Sequence, residues 1–106
     1  MTASNGAAVF NTNCASCHQS DGKGGAAAPP LAGNAVVTGN ATKVIHIVKS
    51  GLTGSVKVNG KTYNGMMPAW KGVISSDDIA AVITYIRSSW GNKASAVTSA
   101  QVTSTP

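Results

Sequence analysis

The sequence has no glutamate and only three aspartates, so its eight lysines and arginines leave a formal charge of +5. Among 106 residues there are one Phe, two Tyr, two Trp and two cysteines. No apolar run approaches the roughly 20 residues that span a bilayer, which excludes a transmembrane helix from the chain as given. Cys14 and Cys17 are too close together to clip distant segments, which excludes a disulfide framework. The shortage of aromatics weighs most. The 42% hydrophobic content is inflated by alanine, and few large side chains remain to fill a core. A single domain this small makes up such a deficit with a metal or a bound group.

The excess of cations allows a nucleic acid, an anionic surface or an acidic protein as partner. Lys23, Lys43, Lys49, Lys57, Lys61, Lys71, Lys93 and Arg87 are scattered and not interleaved with aromatics, which argues against nucleic acid.

A short helix is expected from Ser4 to about Asn13, with Ser4 as a cap and Gly6 and Phe10 on one face. Residues 19–40 are dense in Gly, Pro and Asn and read as a long loop wrapped around a site. Asn40 or Thr42 caps a second helix, with Val44, Ile45 and Val48 inward, Lys43, His46 and Lys49 outward, and a stop at Gly51. Val56-Lys57-Val58 and Lys61-Thr62-Tyr63 flank Asn59-Gly60, a hairpin signal. The last helix starts with Ser75 and Asp78 as a capping box, carries Ile79, Val82, Ile83, Ile86 and Trp90 as its apolar stripe, and ends near Gly91-Asn92. Residues 94–106 have no charge and no apolar period, so they are expected to form a flexible Ser/Thr-rich tail or linker after a domain at 1–93. The fold is expected to be all-α, with three to five helices and a small β-hairpin near residues 56–63.

Cys14-Ala15-Ser16-Cys17-His18 is C-x-x-C-H, the attachment signature of c-type haem. On a helical turn, residues at i, i+3 and i+4 project to one side. Two thiols can then add to two vinyl groups along one haem edge while the imidazole of His18 turns under the ring. A zinc site would need a fourth ligand, and the only other His or Cys is His46, in a helix with no companion. A thioredoxin-like dithiol would need a preceding strand and a βαβ context, which this sequence does not offer.

From Gly6 to about Trp90 the chain resembles the class I c-type cytochromes. Gly6 and Phe10 precede the haem motif at that family's spacing. Pro29-Pro30-Leu31-Ala32-Gly33 fits its P-x-L-x-G segment, and Met66-Met67-Pro68-Ala69-Trp70 fits its M-P segment. The closing helix, with Tyr85, matches the one that crosses the N-terminal helix. The resemblance implies a cytochrome c fold around one haem c, bound covalently through Cys14 and Cys17. His18 is then the proximal iron ligand, oriented by the carbonyl of Pro29, or of Pro30 if the loop slips by one. Leu31 is expected to close on the haem.

Met66 and Met67 are both candidates for the sixth ligand, since a soft thioether suits low-spin haem iron. The family pattern selects the Met before Pro, Met67, and Pro68 stiffens the segment that presents it. His46 is a rival, on the outer side of its helix, where a solvated histidine is expected. Tyr63 and Trp70 flank the Met segment and are expected to line the pocket or reach a propionate through their polar tips.

With both axial positions filled by side chains, the implied function is electron transfer by Fe(III)/Fe(II) cycling. The alternatives are a haem domain relaying electrons within a larger oxidase, nitrite reductase or quinoprotein dehydrogenase, and a haem enzyme or gas sensor with a labile sixth ligand. The expected partners are acidic redox proteins or a tethered redox domain, and the chain is expected to be a monomer. Covalent haem attachment implies a periplasmic site or the outer face of the bacterial cytoplasmic membrane. Met1-Thr2-Ala3-Ser4 is no signal peptide, so the chain is expected to be a mature or excised form.

Overall fold

Asn5 opens the first helix, α1 (Gly6–Asn13), by accepting a hydrogen bond from the Ala8 N–H at 3.2 Å. The computed structural model describes residues 5–25, 28–58 and 60–105, so the expected cap at Ser4, the reading of Met1 to Ser4, and Asn59 of the hairpin signal lie outside the described residues. Cys14 joins α1 to a single turn, α2 (Ala15–His18), and Asn34 caps another, α3 (Ala35–Thr38). Asn40 caps α4 (Ala41–Ser50). Gly51 ends it with φ +79°, a conformation that favours glycine.

The chain then forms an antiparallel pair, β1 (Leu52–Val58) and β2 (Lys61–Met67), in register from Val58 opposite Lys61 to Leu52 opposite Met67. The hairpin is therefore longer than the expected 56–63, and Met67 ends a strand instead of lying in a loop. Gly60, at φ +82°, supplies the turn. Ser75 caps α5 (Ser76–Arg87), and Thr98 caps α6 (Ser99–Ser104). No helix among the described residues is long and apolar enough to cross a membrane.

The core forms where α1 crosses α5. Phe10, Ile79 and Ile83 are at most 2% exposed, and the Phe10, Tyr85 and Trp90 rings meet with centroids 5.2–5.6 Å apart. Gly6 permits this crossing, because a Cβ there would stand 2.3 Å from the Ala81 carbonyl oxygen and 2.8 Å from Tyr85 Cβ. Trp90 packs as expected but not on a helix: α5 stops at Arg87, and Trp90 occupies the following turn with φ +54°.

Residues 94–105 correct the expectation of a flexible tail. Thr98 and Gln101 make a reciprocal capping box, and Val97 and Val102 join the central core at 5% and 0% exposure. Backbone and side chain cooperate in this docking. Thr84 Oγ1 donates to the Val97 carbonyl and accepts from the Val97 N–H, while Arg87 Nε donates to the Ser95 carbonyl at 2.9 Å. Two cations are buried for the same reason. Arg87 also donates to the carbonyls of Val37 and Gly39, and Lys49, expected on the outer side of its helix, donates to those of Val102 and Thr105.

Candidate functional site

The helical turn after α1 brings Cys14, Cys17 and His18 together, because the N–H groups of Cys17 and His18 both donate to the Cys14 carbonyl, at 3.2 and 3.0 Å. Cys14 is half-buried, Cys17 is exposed, and neither is in a disulfide. Burial, with the neighbouring Cys17 adding to it, pushes the Cys14 thiol up to about 11. The thiol is therefore protonated at neutral pH, and conversion to a thioether would remove a titratable group from a half-buried position.

His18 is held by a loop built to reach it. The Gly24 N–H donates to the His18 carbonyl at 2.9 Å, and a Cβ on Gly24 would stand 2.5 Å from the Ala28 carbonyl oxygen, so the loop folds back only with glycine there. This brings the Pro29 carbonyl 3.0 Å from His18 Nδ1. A carbonyl oxygen can only accept, so Nδ1 carries the hydrogen and Nε2 keeps its lone pair for a metal. Burial lowers the His18 pKa, opposed by the bond to Pro29, and favours the neutral imidazole that a ligand must be.

Asn92 fixes the far side of the same loop, a role its sequence position did not suggest. Its Oδ1 accepts from the Gly33 N–H at 2.9 Å, and its Nδ2 donates to the carbonyls of Leu31 and Ile86 at 3.0 and 2.8 Å. An asparagine after a glycine reads as a helix stop; nothing local reveals that its amide spans to the Leu31 segment.

The strand separates the two methionines. Successive side chains on β2 face opposite ways. Met66, opposite Thr53, is 78% exposed, whereas Met67, opposite Leu52, is half-buried against the core. Leu31, Trp70 and Cys14, like Met67, are partly buried against the same core. Tyr63 stands apart from that cluster, half-buried opposite Val56 with the Lys61 ammonium 5.3 Å from its ring centroid. His46 lies on the exposed side of α4.

The donor set of Cys14, Cys17, His18 and Met67 is one that a haem can use. Among the described residues no three His, Cys, Asp or Glu side chains converge to hold a metal. What is present is a thiol pair and an imidazole with a fixed lone pair on one turn, and elsewhere against the core a half-buried thioether and apolar side chains.

The cytochrome c family model matches residues 3–90 of this sequence. The chain belongs to the cytochrome c family. It is 41% identical over 102 residues to the cytochrome c subunit of alcohol dehydrogenase (quinone) from Gluconacetobacter polyoxogenes, covering 92% of this chain and 21% of that protein. It is 34% identical over 97 residues to cytochrome c-552 of Thermus thermophilus, covering 87% of this chain and 64% of the relative. It is 40% identical over 81 residues to cytochrome c6 of Leptolyngbya boryana, covering 76% and 85%. The chain thus spans about one fifth of the length of the dehydrogenase subunit it matches. Membership of this family supports electron transfer as the function, and haem c is the group the family implies.

Proposed function

We propose that this cytochrome c carries electrons through one haem c attached by thioethers at Cys14 and Cys17, with His18 and Met67 as axial ligands. The observation that carries this reading is the bond from His18 Nδ1 to the Pro29 carbonyl, which leaves Nε2 as the nitrogen available to iron. The inward Met67 and outward Met66 support the second ligand. The group supplies a one-electron Fe(III)/Fe(II) couple. With His18 and Met67 as its ligands the group would exchange electrons without binding a substrate, and we read the chain as an electron carrier on that basis. Leu31 and Trp70 would shield the ring, whereas Tyr63, on the hairpin and outside that set, is left without a role in it.

Its site of action is the periplasm or the outer face of the bacterial cytoplasmic membrane, as covalent haem attachment of this type implies. Acidic redox proteins are the fitting partners. Lys23, Lys43, Lys57, Lys61, Lys71 and Lys93 are all exposed, and no acidic residue occurs between Asp21 and Asp77. A tethered arrangement, in which this unit relays electrons inside a dehydrogenase assembly, is supported by the 41% identity to a fifth of a subunit carrying that name.

A potentiometric titration followed by the haem spectrum tests the proposal. A single reversible one-electron wave is expected, with a rate of electron exchange with an acidic partner that falls as salt rises. A rate indifferent to salt would remove the lysines from the account, and absence of a reversible wave would remove the carrier function.

A further inference from the structure

The family match ends at residue 90, yet the segment beyond it is tied to the methionine side of the site through one side chain. Lys49, in the last turn of α4, is 6% exposed, and its Nζ donates to the Val102 carbonyl at 2.7 Å and to that of Thr105. These carbonyls lie at the C-terminal end of α6 and at its cap, Thr105, and the Val102 carbonyl also accepts from the Thr105 N–H at 3.3 Å. The contact satisfies a buried ammonium and a helix terminus together.

The backbone around Lys49 faces the other way. The Lys49 carbonyl accepts from the Lys71 N–H and the Val48 carbonyl from the Trp70 N–H, both at 3.1 Å. Two residues on, Gly51 backs so closely onto the methionine strand that a Cβ there would stand 2.6 Å from the Met67 carbonyl oxygen. The last turn of α4 therefore holds Trp70 and Lys71 through its backbone and α6 through the Lys49 side chain, and its cap, Gly51, packs closely on Met67. A groove lined by Lys49, Lys71, Ile74, Ser76, Thr103 and Thr105 marks the seam where the two gripped segments meet.

We propose that Lys49 is a positioning residue for the Met67 ligand, acting by locking α6 against the turn that holds the methionine segment. This rests on the assignment of Met67 as axial ligand. Opening of the methionine side requires the segment 67–71 to move away from α4, and α6 docked on Lys49 keeps that turn of α4 in place. An extension outside the family match thereby sets how readily an external ligand displaces the methionine.

The test uses the ferric holoprotein and imidazole as the displacing ligand, with the sulfur-to-iron charge-transfer band as the readout of methionine ligation. Lys49→Met, which keeps length but removes the donor, should bind imidazole about tenfold more tightly, within the range typical of coupled sites. Val102→Ala, which trims a fully buried α6 side chain while keeping the backbone carbonyl that Lys49 donates to, should shift the affinity in the same direction. It serves alone if Lys49→Met does not accumulate. Effects of the two that fail to add would show that they act on one contact. Unchanged imidazole affinity in both variants, alongside lowered thermal midpoints, would reduce α6 to a stabilising cover and overturn the proposal. A missing charge-transfer band in the unsubstituted protein would instead overturn the ligand assignment beneath it.

Discussion

Met67→Ala should abolish the sulfur-to-iron charge-transfer band of the ferric protein and lower its reduction potential by on the order of 100 mV, a modest part of the roughly 0.8 V that axial ligation spans. Met66→Ala should leave both unchanged. The asymmetry follows from strand geometry: neighbours on β2 point to opposite faces, and Met66 is 78% exposed while Met67 packs against the core with Leu31 and Trp70. A thioether is a soft ligand that favours Fe(II), so replacing it with water or hydroxide stabilises Fe(III) and lowers the potential. A fall in potential for Met66→Ala with none for Met67→Ala would reverse the assignment.

The second large effect concerns folding. Cys14→Ala/Cys17→Ala protein made without haem should lose most of its helical circular dichroism. A domain of this size has a net stability of about 5–15 kcal/mol. Leaving Leu31, Met67 and Trp70 facing water in place of the ring forfeits roughly 1.5–3 kcal/mol for each such side chain, enough to cancel the lower end of that range. The α1–α5 crossing, with Phe10 fully buried against Tyr85 and Trp90, is the part best equipped to persist. A double variant that keeps its full helical signal and a cooperative thermal transition would show that the protein side chains alone fill the core.

Helices α1, α4 and α5 were readable because each rests on a local pattern, whereas α3 lay within the expected loop and α6 within the expected tail, giving six helices in place of three to five among the described residues. Cys14, Cys17 and His18 share one turn, Asn40, Gly51 and Ser75 punctuate helices at their ends, and Gly6 and Phe10 recur at helical spacing before the motif. The Pro29 carbonyl, expected near His18, lies 3.0 Å from Nδ1. What escaped the sequence acts at long range through backbone carbonyls, which have no sequence signature. Lys49 reaches a carbonyl 53 positions away, Arg87 one 50 positions away and Asn92 one 61 positions away. The docking of residues 94–105 was missed for a related reason. Two valines spaced five apart show no amphipathic period, and their burial becomes favourable only once Arg87 and Thr84 have fixed the chain between them. The Thr98-to-Gln101 capping box was the one local signal available.

The buried cations also sharpen the reading of charge. Removing Lys49 and Arg87 from the surface leaves six exposed lysines to meet a partner, and those on the hairpin, Lys57 and Lys61, are carried by the same strands that deliver Met67. Net charge alone would have counted all eight cations toward docking.

The most direct test of the central claim is exposure of the ferrous holoprotein to carbon monoxide at neutral pH. If His18 and Met67 ligate the iron as proposed, no CO adduct should form on the timescale of mixing, whereas Met67→Ala should form one readily. Rapid binding by the unsubstituted protein would mean that an axial position is open, and would contradict the account of this chain as a closed one-electron carrier.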